Sequence, residues 1–252
     1  MLVSKMPSGK PEIFQSFQGE GATIGEPCVF VRLAGCNLQC SFCDTAYTWL
    51  FDKDKSSDYF ESMERKDYVI NLDTASVVRF ITEYAGAIKH VVFTGGEPLL
   101  QQKEIYEVME ALSAQSSEWV FEVETNGTMF IEKEYMFDRI NCSPKLSSSG
   151  NCKKIRDIGR VIKQYLAIAK SYENVIFKFV VGADTAEADL KEIKVWQEEY
   201  DVPTKLIYLM PEGIEVEKIK KGMDMLLKIC KKDGYKLSPR VHILTYGNLR
   251  AT

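Results

Sequence analysis

Three cysteines, Cys36, Cys40 and Cys43, stand at the spacing C-x3-C-x2-C in the stretch Gly35-Cys36-Asn37-Leu38-Gln39-Cys40-Ser41-Phe42-Cys43-Asp44-Thr45. Thiolates are soft ligands, and iron–sulfur clusters are held by tight cysteine groups of this kind. A structural zinc site and an ordinary four-iron cluster both want four ligands. Here only three are local, and no further Cys or His lies in the loop. Three thiolates on a four-iron cluster leave one iron open to a substrate, so the spacing points to a catalytic cluster. A distant fourth thiol, Cys142 or Cys28 for example, would instead favour a non-catalytic cluster or zinc protein.

The elements around the loop follow from periodicity. An apolar run over 28–34 predicts a first strand that ends where the cysteines begin. Residues 46–72 are polar and charge-mixed, an excursion with a short helix that could cover the cluster. Asp73 offers an N-cap for a helix to about Tyr84, with Val77, Val78, Phe80 and Ile81 on its apolar face and Gly86 closing it. Strand and helix then alternate: strands at 90–93, 119–124, 138–142, 175–181, 206–210 and 237–243, and helices at 103–114, 131–136, 185–199 and 216–231. A basic, serine-rich link (146–154) opens a further helix to about Ser171, carrying Ile155, Ile158, Val161, Ile162, Tyr165 and Leu166. Such alternation predicts a parallel sheet with helices outside it, of about six units rather than the eight of a closed barrel. No low-complexity linker divides the chain, so one domain over 1–252 is expected.

Other residues stand out by type and place. Residues 11–27 are polar, glycine-rich and aromatic, an N-terminal loop or short edge strand whose glycines permit close approach to a ligand. Arg32 is an odd charge in an apolar strand; a buried arginine needs a partner, either a structural carboxylate or a bidentate ligand carboxylate. Thr94-Gly95-Gly96-Glu97-Pro98 follows a strand, where a tight turn and a ligand-binding turn read alike. The chain has two histidines, His90 and His242.

The cysteine loop is the signature of the radical S-adenosylmethionine (SAM) superfamily, and the text around it resembles the 7-carboxy-7-deazaguanine synthase family. Phe14-Gln15-Ser16-Phe17-Gln18-Gly19-Glu20-Gly21, the segments 30–36 and 42–45, Thr94 to Pro98, Glu124-Thr125-Asn126-Gly127-Thr128, Ser143-Pro144-Lys145 and the ending from His242 to Arg250 carry the likeness, in the family's order. The resemblance implies a partial (β/α)6-type TIM barrel holding a [4Fe–4S] cluster on Cys36, Cys40 and Cys43. It implies SAM against Phe42, Cys43, Asp44, Gly96, Glu97, Ser143, Pro144 and Lys145, and Mg2+ at Thr45. The substrate implied is 6-carboxy-5,6,7,8-tetrahydropterin, held by Phe17, Gln18, Gly19, Arg32, Thr94 and the carboxylate of Thr252. Glu124 and Asn126 would form pocket wall, and Glu20 and His242 are the acid–base candidates. The reaction implied is a Mg-assisted radical ring contraction that releases ammonia and gives 7-carboxy-7-deazaguanine. Family members work as homodimers and take an electron from a flavodoxin or ferredoxin. A glycyl-radical activase would share the cysteine loop and Gly-Gly-Glu-Pro but has no reason for Phe-Gln-Gly-Glu-Gly or Ser-Pro-Lys.

Composition agrees with such an enzyme. A chain of 252 residues, 45% apolar and 27% charged, is ordinary for a globular α/β protein. Its net charge of −4 argues against a broad grip on nucleic acid. No apolar run approaches the roughly 18–20 residues that span a bilayer, and Met1 to Lys10 lacks the apolar core of a signal peptide. Seven cysteines, three of them clustered, fit a reducing compartment, so a cytoplasmic enzyme is expected.

Overall fold

The computed structural model describes residues 1–51, 63–133, 136–172 and 174–252. Among them, ten strands form one sheet: β1 (Leu2–Ser4), β2 (Ile13–Phe17), β3 (Pro27–Leu33), β4 (Val69–Asn71), β5 (His90–Gly95), β6 (Val120–Thr125), β7 (Arg139–Cys142), β8 (Val175–Val181), β9 (Ile207–Pro211) and β10 (Lys236–Leu237). The order is β10-β9-β8-β7-β6-β5-β3-β1-β4, with β2 pairing β3. Pairing is parallel from β3 through β5 to β10 and antiparallel for β1, β2 and β4. The outer strands β10 and β4 do not pair with each other, so the barrel is partial.

The helices are α1 (Arg65–Tyr68), α2 (Thr74–Ala85), α3 (Gln102–Ser113), α4 (Lys153–Arg156), α5 (Gly159–Tyr172), α6 (Ala186–Tyr200), α7 (Val216–Asp233) and α8 (Val241–Tyr246). β5 is buried from His90 to Thr94, and β9 throughout. Continuous apolar strands of this kind are those covered on both faces, as parallel strands with crossover helices are. α2 starts where Asp73 accepts the Ser76 N–H at 2.7 Å and turns Val77 and Ile81 inward. Trp196 of α6 meets Phe177 and Phe179 of β8 edge-on, with ring centroids 5.2 and 5.0 Å apart. No helix among the described residues is long and apolar enough to cross a membrane.

Three expectations are corrected. The helix running to Ser171 does not extend back through Ile155: α4 and α5 are separated at Asp157-Ile158. Arg156 turns inward instead of continuing the helix. It donates to the carbonyls of Asn151 (3.0 Å) and Lys145 (2.7 Å) and to the Ser147 hydroxyl (2.8 Å), and Ile155 is left exposed. The last strand ends at Leu237 rather than 243, because Pro239 has no N–H for a ladder and 241–246 coil into α8. Of the helix expected at 131–136, residues 131–133 are not helical, Met136 is in a 3₁₀ turn with its N–H bonded to the Lys133 carbonyl at 3.1 Å, and 134 and 135 lie outside the described residues. The excursion over 46–72 holds a 3₁₀ turn (Ala46–Thr48), α1 and β4, the rest of its middle lying outside the described residues.

Phe177 is fully buried in β8, between β7 and β9. Phe177→Ala is expected to lower the unfolding free energy by about 3–5 kcal/mol, read as a fall in the urea midpoint at unchanged slope.

Candidate active site

The carboxyl ends of the parallel strands open onto one cavity. Arg32 enters it from β3, Thr94 from β5, Glu124 from β6, Lys178 from β8 and Met210 from β9. A further side is the loop after β3, whose Cys36, Cys40 and Cys43 all line the cavity. The loop is brought there by a backbone approach that excludes side chains. A Cβ on Gly95 would stand 2.1 Å from the Leu33 carbonyl oxygen, and one on Gly96 2.0 Å from that of Gly35. In their absence, Gly96 N–H donates to Leu33 O at 3.1 Å and Glu97 N–H to Gly35 O at 2.8 Å.

Each thiol has its own N–H donor. Trp49 Nε1 donates to Cys43 Sγ at 3.3 Å, Asn151 Nδ2 to Cys40 Sγ at 3.4 Å and the Leu38 N–H to Cys36 Sγ at 3.5 Å. Donors aimed at sulfur are what tune and orient cluster thiolates. Burial pushes all three thiols up, Cys36 to about 12, so iron must displace their protons on binding. Among the described residues, no three His, Cys, Asp or Glu side chains converge on a point that would hold a single ion. A four-iron cluster takes each thiol on a different iron, and three thiols lining one cavity, each with an N–H donor, suit such a cluster. Cys28 and Cys142 are fully buried and do not line the cavity, which removes the fourth thiol a closed site would need.

Glu97 lies behind the wall rather than in it. Its fully buried carboxylate accepts from Leu99 N–H (3.0 Å), the Thr125 hydroxyl (2.9 Å) and Asn126 N–H (2.7 Å), and so ties β5 to the end of β6. Burial raises its pKa to about 7, against the pull of those three donors. Asn126 in turn donates to Asn37 Oδ1 at 2.9 Å, next to Cys36.

Arg32 has Glu12 as its structural partner, through Nε at 3.0 Å. Glu12 is fully buried and also accepts from Tyr47 Oη (3.0 Å) and Arg250 Nη2 (2.6 Å). The two Nη groups of Arg32 have no hydrogen-bond partner among the described residues, and the side chain lines the cavity. Thr94 donates to Glu124 at 2.7 Å. The Gln18 amide bridges Glu122 (2.8 Å) and Glu124 (3.1 Å).

Glu20 is held by two cations, Lys178 Nζ at 2.5 Å and Arg240 Nε at 2.9 Å, with His242 Nε2 at 3.7 Å. Burial alone would raise its carboxyl, but Lys178 and Arg240 overcome that and hold it well below the usual range. Burial, with Arg240 adding to it, lowers His242 from its ordinary value, while Glu20 opposes. α8 brings His242 against Gly19, where a Cβ would fall 2.2 Å from the imidazole Nδ1, and Val241 N–H donates to Gly19 O at 3.0 Å. Thr45 lines the cavity beside Cys43.

Most of the residues singled out from sequence therefore share one cavity: Phe17, Gln18, Glu20, Phe42, Asp44, Gly96, Ser143, Lys145 and Thr252 join the cysteines, Arg32, Thr45, Thr94 and His242 there. Gly19, Glu97 and Pro144 do not line it. Sequence reading missed Glu12, Lys178, Arg240 and the donors Trp49 and Asn151. Lys178 carried the same signal as Arg32, a charge within an apolar strand; Arg240 and Asn151 carried none.

Residues 31–185 match the family described as the Radical SAM superfamily. A 7-carboxy-7-deazaguanine synthase of Pyrobaculum aerophilum is 34% identical, over 95% of this chain and 95% of its own. Those of Halobacterium salinarum and Rhodopirellula baltica are each 31% identical, over 96% of this chain and 91% and 87% of theirs. Among solved structures, the crystal structure of QueE from Escherichia coli shares the fold at TM-score 0.63 and 22% identity, covering 94% of this chain and 93% of that one.

Two outcomes follow from the geometry. Gly96→Ala drives a methyl into the Gly35 carbonyl, and backbone on both sides leaves it no room; iron bound per chain after anaerobic reconstitution is expected to fall several-fold. Glu97 has a folded-state pKa, about 7, above its ordinary 4.5. Its contribution to stability is therefore complete below pH 4.5 and lost as pH rises through 7. Glu97→Gln is expected to flatten the pH dependence of the iron-free chain's urea midpoint across that window.

Proposed function

The chain belongs to the 7-carboxy-7-deazaguanine synthases of the radical SAM superfamily, and from that membership we propose that its cavity converts 6-carboxy-5,6,7,8-tetrahydropterin to 7-carboxy-7-deazaguanine with loss of ammonia. The observation that carries this reading is that three thiols with their own N–H donors and the open fork of Arg32 line one cavity.

Cys36, Cys40 and Cys43 would hold a [4Fe–4S] cluster. SAM would lie beside it, against the backbone of Gly96 and the side chains of Phe42, Asp44, Ser143 and Lys145. The oxygen of Thr45 would be the protein's ligand to Mg2+, which keeps water and substrate oxygens for its other positions. Bound together, the cluster and SAM supply the one-electron chemistry that takes a hydrogen atom from the substrate.

The protein's own part is positioning, charge and dryness. Glu12 fixes Arg32 through Nε and leaves its Nη fork to receive the pterin carboxylate in bidentate fashion. Thr94 and Gln18, oriented by Glu124 and Glu122, meet the polar edge of the ring, and Phe17 forms the wall behind it, with Gly19 outside the lining. Arg250 lies over the Tyr47 ring at 3.6 Å and is held by Glu12; it is close in sequence to Thr252, which lines the cavity. Glu20, fastened to two cations, stays ionised and acts as an electrostatic fixture. His242, held neutral by burial, is the group able to take or return a proton beside the substrate. Family membership further supports a homodimer and a flavodoxin- or ferredoxin-type electron donor.

The test is anaerobic turnover of the reconstituted, reduced protein with SAM, magnesium and 6-carboxytetrahydropterin, read by mass spectrometry. Carboxydeazaguanine is expected, and is expected to vanish in Cys40→Ala. SAM cleavage without any deazapurine would remove the substrate assignment. Arg32→Lys replaces a fork by a point charge, and the pterin KM is expected to rise by about 10–100-fold, on the order of 1.4–2.8 kcal/mol.

A further inference from the structure

Arg240 stands at the start of α8, nearly buried, and each guanidinium nitrogen serves a different segment of the chain. Nε donates to Glu20 at 2.9 Å, in the N-terminal segment. Nη1 donates to the Gly213 carbonyl at 2.5 Å, in the loop between β9 and α7. Nη2 donates to Asp44, the residue after Cys43. Two carboxylates from separate segments, both lining the cavity, are thus joined through one planar cation. Glu20 belongs to the wall beside Gly19 and His242, and Asp44 to the loop that presents the cysteines and Thr45.

We propose that Arg240 is a positioning residue that couples the pterin-side wall to the cluster loop, so that the substrate is held in register with the site of hydrogen abstraction. This rests on the function proposed above. A bridging cation suits the task because a planar fork fixes direction as well as distance. Lys178 also contacts Glu20, so that carboxylate keeps one cation when Arg240 is replaced, while its link to Asp44 is lost. Removing the fork leaves both carboxylates in the cavity and unlinks the two sides.

The test uses Arg240→Gln and Arg240→Lys in the full chain. Hydrogen–deuterium exchange on the iron-free protein is expected to rise in Arg240→Gln across both 17–25 and 41–48, as well as in α8. In the reconstituted, reduced enzyme, SAM cleaved per deazapurine formed is expected to rise at least several-fold, with kcat down tenfold or more and pterin KM within about threefold. Arg240→Lys keeps a cation between the two carboxylates and is expected to recover part of the coupling. Exchange that rises in α8 alone would reduce Arg240 to a helix-end contact and overturn the proposal, as would an unchanged cleavage ratio. Should Arg240→Gln fail to fold, the ratio in Arg240→Lys decides: a value equal to wild type overturns coupling through the planar fork. A wild-type enzyme that cleaves SAM but forms no deazapurine would sink the assigned substrate, and the exchange result would still decide Arg240.

Discussion

The mouth of this barrel depends on backbone meeting backbone at the ends of β3 and β5. Gly95 and Gly96 lie so close to Leu33 and Gly35 that any side chain would fall about 2 Å from a carbonyl oxygen. This contact makes the cysteine loop an extension of the sheet rather than a free excursion from it. Loops are the mobile parts of a fold, yet a metal centre needs its ligands held to within fractions of an ångström. Fastening the loop to the buried strand β5 resolves that conflict. Glu97 extends the same arrangement sideways, since it accepts from the Thr125 hydroxyl and from the N–H of Asn126, whose side chain reaches Asn37 in the loop.

On this frame the cavity is organised by buried charge. Burying an ion is costly unless partners compensate it, and a pair is informative about position more than about stability. Glu12 and Arg240 illustrate this from opposite signs. Glu12 gathers Arg32, Tyr47 and Arg250; Arg240 gathers Glu20, Asp44 and the Gly213 carbonyl. Each draws together the N-terminal segment, the stretch after the cysteines and the C-terminal segment. Neither needs the other's partners, so the chain's two ends are fastened to the cluster loop at two independent places.

The legibility of these features from sequence followed their range. Strands such as Val175–Val181 and helices such as α2 were readable because periodicity and caps are local signals. β1 and β4, three residues each, were too short to show alternation, and they pair across almost seventy residues of chain. The strand expected through His242 failed at Pro239, where one missing N–H outweighed an apolar pattern. In the site, the cysteines and the glycines were legible because spacing and residue type alone restrict their use. The sulfur donors Trp49 and Asn151 were not, since their role exists only once distant segments meet. Glu97 shows a third case: its place in the motif was evident, but that its carboxylate faces inward depends on Thr125 and Asn126 of the next strand.

One consequence concerns how the site is completed. Radical chemistry requires a dry, enclosed reactant, and here both ends of the described chain contribute to the enclosure. β2 leads into Gln18-Gly19-Glu20 on one side; α8 and the residues to Thr252 close the other. They meet where Val241 N–H bonds Gly19 O and where His242 occupies the space that a side chain on Gly19 would need. A (β/α) barrel with fewer than eight units leaves an open edge, and an open edge exposes whatever lies at the strand ends. The two termini substitute for the missing units. Docking them therefore does two things at once: it shields the cavity, and it delivers His242, Arg250 and Thr252 to it. The groups that these segments deliver depend on contacts between distant parts of the chain, whereas the cysteines sit on a loop fastened to the sheet.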